Sequence, residues 1–288
     1  MGADAGPTFS RCASGELAGL IERLDDEFIP GRGRTVSLAA RFPRELSASN
    51  LDNLLVARQS GEIAGAIVVK RFRWIVPERE YAGAMLGMVW IAPKQRGAGL
   101  GSKLLSHVGD ALRDSVDFAV LWTGNPAFYA RAGWQSADHG TLGRIDGIGR
   151  NAPSRGAMDF ERARAMWRRQ PARVERDASW RPNLPSPAES LELFEGPGAC
   201  ALAGRREETL YCYEMLGDEM GFAAIFDSMR TSCATLYFNE NAGSPAYAWL
   251  SGQGVSWEKK PLAMWLPARE RDPSGLRGDW YVSWLDRI

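Results

Sequence analysis

The sequence predicts a mixed α/β (α+β) fold: a mostly antiparallel sheet flanked by helices, followed by a second, smaller α/β domain. Three observations predict it. Strand-like and helix-like apolar runs alternate as far as about residue 135, and a glycine-rich turn joins one strand directly to a helix. A stretch rich in Arg, Gly and Pro, about 140–187, then separates these runs from a further set. The expected units are 1–150 and 151–288, since 288 residues can bury two ordinary cores.

The elements follow in order. Ser14 can cap a helix through about Phe28, with Leu17, Leu20, Ile21 and Leu24 on one face, and Pro30-Gly31-Arg32-Gly33 breaks it. Leu54-Leu55-Val56-Ala57-Arg58 and Ile63-Ala64-Gly65-Ala66-Ile67-Val68-Val69 flank Gln59-Ser60-Gly61-Glu62 as a hairpin. A third strand runs from about Tyr81 to Ala92 after the turn Pro77-Glu78-Arg79-Glu80. From Gly99 to about Asp114 the period is helical, with Leu100, Leu104, Leu105, Val108 and Leu112 on one side. Phe118-Ala119-Val120-Leu121-Trp122 reads as a strand covered on both faces. Asn125-Pro126 reads as a helix start and Gly133 as a stop.

The connecting stretch holds one helix near Met158 to Arg169, with Phe160, Ala163 and Trp167 on one face and its arginines expected in solvent. A weak internal repeat follows. Gly217-Asp218-Glu219-Met220-Gly221 stands between Leu210–Tyr213 and Phe222–Phe226 as Gly61 to Gly65 stands between its own two strands, so a hairpin is expected. Later strands are expected at Leu262 to Leu266 and Trp280 to Leu285.

Bulk chemistry excludes several functions. Acidic and basic residues balance at 35 each, leaving no field to attract nucleic acid or an anionic bilayer. The start lacks the apolar core of a signal peptide, and no run approaches the roughly 18 apolar residues a membrane span needs. A cytoplasmic protein without nucleic-acid or membrane partners is expected, and its oligomeric state carries no sequence signal. Cys12, Cys200, Cys212 and Cys233 are widely spaced, so buried thiols are expected rather than a metal site or disulfides.

The turn Arg96-Gly97-Ala98-Gly99-Leu100-Gly101-Ser102 carries the chemistry. Glycines let backbone N–H groups approach a phosphate, and a helix starting immediately afterwards adds its unpaired amides and positive dipole end. A P-loop fails because only three residues separate Gly97 from Gly101 and the Lys and Ser are inverted. A dinucleotide fingerprint fails because Ser102 stands where its third glycine belongs. The pattern R/Q-x-x-G-x-G/A after a strand and proline turn is met by Arg96, Gly99 and Gly101 behind Val89-Trp90-Ile91-Ala92-Pro93. An ordinary strand-to-helix turn is the plain alternative.

With Asn125-Pro126-Ala127-Phe128-Tyr129-Ala130-Arg131-Ala132-Gly133-Trp134 about 24 residues downstream, residues 50–135 resemble the GCN5-related N-acetyltransferase (GNAT) superfamily. The resemblance implies acetyl-CoA as co-substrate and no metal. It sets Arg96, Gly97, Ala98, Gly99, Leu100, Gly101 and Ser102 on the pyrophosphate, and the backbone of Val89, Trp90 and Ile91 beside the pantetheine amides. Gly87 inside the strand independently suggests a bulge or a close approach. In this family such a bulge helps splay two parallel strands.

By the same resemblance Tyr129 is the general acid, although it could simply pack the short helix. Asn125 reads equally as a CoA contact and as a plain cap. The family's common strand glutamate is missing from Met85-Leu86-Gly87-Met88, so the base is open. Glu78 and Glu80 are candidates that read also as turn charges, and His107 and His139 are ambiguous. The arrangement resembles tandem superfamily members with a degenerate second domain, some of which return their chain end to the active site. The terminal carboxylate of Ile288 is therefore a further catalytic candidate. The expected function is N-acetyl transfer from acetyl-CoA to a small amine acceptor. A protein or peptide acetyltransferase and a non-catalytic acyl-CoA-binding module are the alternatives.

Overall fold

The computed structural model describes residues 6–136, 140–149, 160–260, 262–267 and 281–288. The first half contains β1 (Thr8–Arg11), α1 (Leu17–Phe28), α2 (Leu38–Arg41), β2 (Leu54–Gln59), β3 (Glu62–Val76), β4 (Arg79–Ile91), α3 (Leu100–Leu112), β5 (Phe118–Trp122), α4 (Pro126–Ala130) and β6 (Gln135–Ser136). There follow β7 (Gly140–Asp146), α5 (Phe160–Trp167), β8 (Arg173–Val174), β9 (Ser190–Gly196), β10 (Ala199–Arg206) and β11 (Thr209–Leu216). The chain continues through α6 (Glu219–Thr231), β12 (Thr235–Asn241), α7 (Pro245–Gly252), β13 (Ser256–Lys259) and β14 (Ala263–Pro267).

Two mixed, mostly antiparallel sheets result. The first has the order β1-β2-β3-β4-β5-β14-β6, with β8 added to β3; the second runs β13-β7-β12-β11-β10-β9. Each contains one parallel pair, β4 with β5 and β11 with β12, because a helix carries the chain across between those strands. The sheets do not divide cleanly at residue 150: β7 lies before it yet pairs with β12 and β13, while β14 returns to pair with β5.

Strand alternation explains how both faces of the first sheet are covered. Leu54, Val56, Ala66 and Val68 pack with Leu20 and Leu24 of α1, whereas Leu55, Ala57, Ile67 and Val69 pack with Leu104, Leu105 and Val108 of α3. A joint core includes residues of both sheets, among them Trp74, Met85, Leu202 and Tyr213, together with Trp167, Trp180 and Leu285. The four cysteines are buried free thiols. Among the described residues no helix is long and apolar enough to cross a membrane.

Several local expectations need correcting. Ser14 opens a short 3-10 turn rather than capping α1, and the Glu16 carboxylate instead accepts from Ala13 N at 2.8 Å. Phe222–Phe226 belongs to α6, so the expected hairpin is absent. Gly221, Phe222, Ile225, Phe226 and Met229 are buried at helical spacing, and Asp218 caps the helix by accepting from Gly221 N at 3.0 Å. The repeat is nonetheless present at a larger scale: β9-β10-β11-α6-β12-α7 follows the order β2-β3-β4-α3-β5-α4. Arg164 and Arg176, expected in solvent, are buried because carbonyl and carboxylate partners surround them. Tyr281–Leu285 forms no strand, and Trp280 lies outside the described residues.

The cap generates a stability prediction. Asp218→Ala should cost about 1 kcal/mol through the orphaned amide of α6, measurable as a lower midpoint in urea unfolding with the slope unchanged.

Candidate functional site

The first sheet opens a cleft between its two parallel strands. β4 and β5 pair only through Gly83, Ala84 and Met85 opposite Phe118, Ala119 and Val120, after which β4 continues to Ile91. A bulge bends it away. Gly87 pairs with Val68 and Trp90 with Ala66, leaving Met88 and Val89 opposite Ile67 alone. Met88 takes a left-handed φ of 50°, which costs a residue with a side chain about 1–2 kcal/mol. The bulge anticipated at Gly87 is therefore present.

The glycine loop lies between the end of β4 and α3. Gly97 and Gly99 have φ of 81° and 79°, and a Cβ at either would meet open space, so conformation rather than crowding demands glycine. At Gly101 crowding matters instead, because a Cβ would stand 3.3 Å from Phe128 Cζ and 3.4 Å from Ile91 Cγ1. Gly99 is the N-cap and Lys103 N donates to Gly99 O at 3.1 Å, which leaves the amides of Leu100, Gly101 and Ser102 ahead of the helical ladder. Ala98 and Ser102 are exposed, whereas Leu100 is buried among the apolar residues of α3. Arg96 braces the loop: its guanidinium donates to Ile91 O at 2.9 Å and pairs with Glu27 at 2.6 Å.

Across the cleft, Asn125 caps α4 without a side-chain cap bond, and its amide donates to Thr123 Oγ1 at 2.9 Å. Tyr129 is buried, packed edge-to-face on Phe128 and Trp134, and its hydroxyl bonds to Thr123 at the end of β5. Burial raises the phenol above its ordinary range, so it stays protonated at neutral pH.

Ile288 arrives from the opposite end of the sequence. An ideal Cβ on Gly87 would lie 2.6 Å from its main-chain carbonyl carbon and oxygen, so only glycine admits the residue here. Met88 and Ile288 pack on the apolar cluster of Leu20, Leu24 and Leu38. The other candidates lie elsewhere. Glu80 pairs with Arg73 at 3.1 Å near the start of β4, seven residues or about 23 Å of strand from Gly87, and Glu78 lies farther on, in the turn. His107 stacks on Phe9 at 5.1 Å. His139 lies outside the described residues.

What holds Ile288 was not foreseen from sequence. Arg176 is fully buried and forks to two carboxylates, Glu214 of β11 and Asp286 of the tail. Its guanidinium lies 3.8 Å from the Trp167 ring centroid and 4.0 Å from that of Trp180. Trp180 Nε1 donates to Asp286 at 2.8 Å, Lys70 Nζ to the Asp286 carbonyl at 2.7 Å, and Asn183 Nδ2 to the Arg287 carbonyl at 2.9 Å. Lys70 also brings in buried Glu45 at 3.2 Å, a carboxylate overlooked in the sequence. The only advance signal was the Trp-rich ending.

Removing this brace should be costly. Arg176→Ala leaves two buried carboxylates unpaired and should destabilise the fold by about 3–5 kcal/mol in denaturant unfolding. Arg176→Lys should recover only part of that, because an ammonium cannot fork to both acids.

The geometry can be set beside known proteins. Residues 32–137 match the family model of the acetyltransferase (GNAT) domain. No curated protein matches the chain in sequence. Among solved structures, a conserved protein from Enterococcus faecalis V583, described as a probable N-acyltransferase, superposes with a TM-score of 0.71 at 14% identity, covering 91% of this chain and 72% of that one. A GCN5-related N-acetyltransferase from Anabaena variabilis gives 0.68 at 13% identity, with 92% and 73% covered. Eis1 from Mycobacterium abscessus gives 0.64 at 12% identity, with 91% and 74% covered. At such identities the structures speak for the shared fold, and the matched model identifies residues 32–137 as an acetyltransferase (GNAT) domain.

Proposed function

We propose that the protein transfers an acetyl group from acetyl-CoA to the amine of a small molecule, at the cleft between β4 and β5. The observation that carries this reading is that three features stand on the elements bordering this seam: a glycine loop that leaves the leading helix amides outside the ladder, a protonated tyrosine after β5, and Ile288 held at the β4 bulge.

The cleft has the right chemistry for the co-substrate. The amides from Gly97 to Ser102 and the α3 dipole suit a pyrophosphate, and the β4 backbone from Val89 to Ile91, beyond the last pair with β5, suits the amides of a pantetheine arm. Asn125 stands at the opposite wall. When bound, acetyl-CoA supplies a thioester acyl group and a thiolate leaving group. The chain's own groups do the proton work. Tyr129, kept protonated by burial, serves as general acid to the leaving sulfur. The proton that the amine must lose is assigned to the main-chain carboxylate that Ile288 carries when it ends the chain. Asp286 and Arg176 position that carboxylate without touching the reaction.

The acceptor side supports a small molecule. Met88 and Ile288 are packed against Leu20, Leu24 and Leu38, so among the described residues α1, α2 and the tail line one side of the bulge, which favours a compact acceptor over an extended polypeptide. CoA release should accordingly occur with small amines in a thiol-detection assay, and peptide amines should be poor acceptors.

Two substitutions separate the roles. Tyr129→Phe should lower kcat by about 100-fold with acetyl-CoA affinity retained; unchanged turnover would return Tyr129 to a packing role. Deleting Ile288 alone, which keeps Asp286 anchored, should abolish turnover without loss of acetyl-CoA binding. Gly87→Ala should act in the same direction by pushing the carboxyl group aside. Full activity in both variants would remove Ile288 from the mechanism.

A further inference from the structure

The second sheet contains the same opening as the first, and its chemistry is inverted. β11 and β12 pair in parallel as far as Cys212 and Phe238, then part. β11 also carries a bulge, since Cys212 pairs with Ala203 and Glu214 with Leu202, leaving Tyr213 unmatched. Cys212 thus occupies the register of Gly87, Glu214 that of Trp90, and Met215 that of Ile91. Even the far wall matches, with Gly243-Ser244-Pro245-Ala246 standing where Gly124-Asn125-Pro126-Ala127 stands in the first domain. A cavity of about 910 Å³ lies at this opening, between the ends of β11 and β12 and the β3–β4 turn.

This cavity is poorly suited to an acyl-CoA. No glycine run follows β11, and the carboxylate of Asp218 occupies the amide at the start of α6 where a phosphate would sit. The Glu240 carboxylate accepts from the amides of Met215 and Asn241 and from Ser244 Oγ at 2.8 Å, so it already fills the seam that a pantetheine arm would enter. Carboxyl groups hold the two places where the first cleft offers amides.

We infer that this second cleft binds an organic ammonium ion, seated between the Glu240 carboxyl and the aromatic wall formed by Trp74, Tyr81, Trp167, Tyr213 and Tyr281. Glu214 on the same wall is already paired with Arg176, but no cation among the described residues pairs with Glu240. Aromatic faces in this region already serve cations: Arg79 lies 4.6 Å from the Tyr81 centroid and Arg176 stacks on Trp167. The site is separate from the first cleft, since Tyr81 and Gly87 are six residues apart on β4, about 20 Å.

Glu240 responds to pH in a way that tests its role. It faces Glu214 and Cys212 of β11 and Ser244 before α7; Glu78 and Arg79 also line the cavity, and Arg176 lies behind Glu214. Burial, with a further contribution from Glu214, pushes its carboxyl up to about 8. A cation prefers the ionised form, so affinity should rise as pH passes upward through that value.

The test uses the full chain with phenyltrimethylammonium, whose charge does not titrate, and the neutral isostere tert-butylbenzene, followed by tryptophan fluorescence and calorimetry. The ammonium should bind about tenfold more tightly than its isostere and more tightly at pH 9 than at pH 7. Glu240→Gln should lose about tenfold in affinity together with the pH dependence, while its thermal melting stays cooperative. The second variant, Tyr281→Leu, should weaken binding without altering the pH dependence. No binding, equal binding of the two probes, displacement of the ammonium by acetyl-CoA, or unchanged binding in folded Glu240→Gln would each overturn the assignment.

Discussion

The structure turns on one buried guanidinium. Arg176 joins Glu214 of the second sheet to Asp286 of the chain end, with an indole on either side. Burying three charges is expensive, and it is offset only where forked hydrogen bonds satisfy each of them. Here the forks are supplied, and they fix more than stability. Asp286 is two residues from Ile288, so the pairing sets how far the tail reaches and seats the main-chain carbonyl group of Ile288 against Gly87. The second domain thereby bears on the first cleft without entering it.

The two clefts show how one topology yields opposite electrostatics. In both, a hairpin leads to a bulged strand, a helical crossover and a parallel partner that diverges from it. In the first, the glycine loop leaves the leading amides of α3 outside the helical ladder. In the second, Asp218 and Glu240 take those amides for themselves. The substitution of carboxylates for open amides changes which sign of ligand the same cavity favours, with the backbone path almost retained.

Much of the first domain was legible because its signals are local. The Ser60-Gly61 turn, the leucine face of α3 and the glycine loop are each determined by neighbours in sequence. The cleft itself was anticipated through Gly87, whose missing side chain leaves the space that Ile288 fills. What escaped depends on distant partners. Arg176 and Asp286 are 110 residues apart, and nothing near either one marks the pairing. The return of β14 to the first sheet is likewise a property of tertiary packing. At Phe222–Phe226 a short apolar run suited strand and helix equally, and the Asp218 cap decides for helix.

The central claim is that a single acetyl-CoA sits between β4 and β5 with the chain's acid and base at its reactive end. A crystal structure with acetyl-CoA bound tests it most directly. The account predicts the pyrophosphate on the amides from Gly97 to Ser102, with the Tyr129 hydroxyl and the Ile288 carboxyl on either side of the thioester. Acetyl-CoA seated between β11 and β12, or a thioester out of reach of both Tyr129 and Ile288, would contradict it.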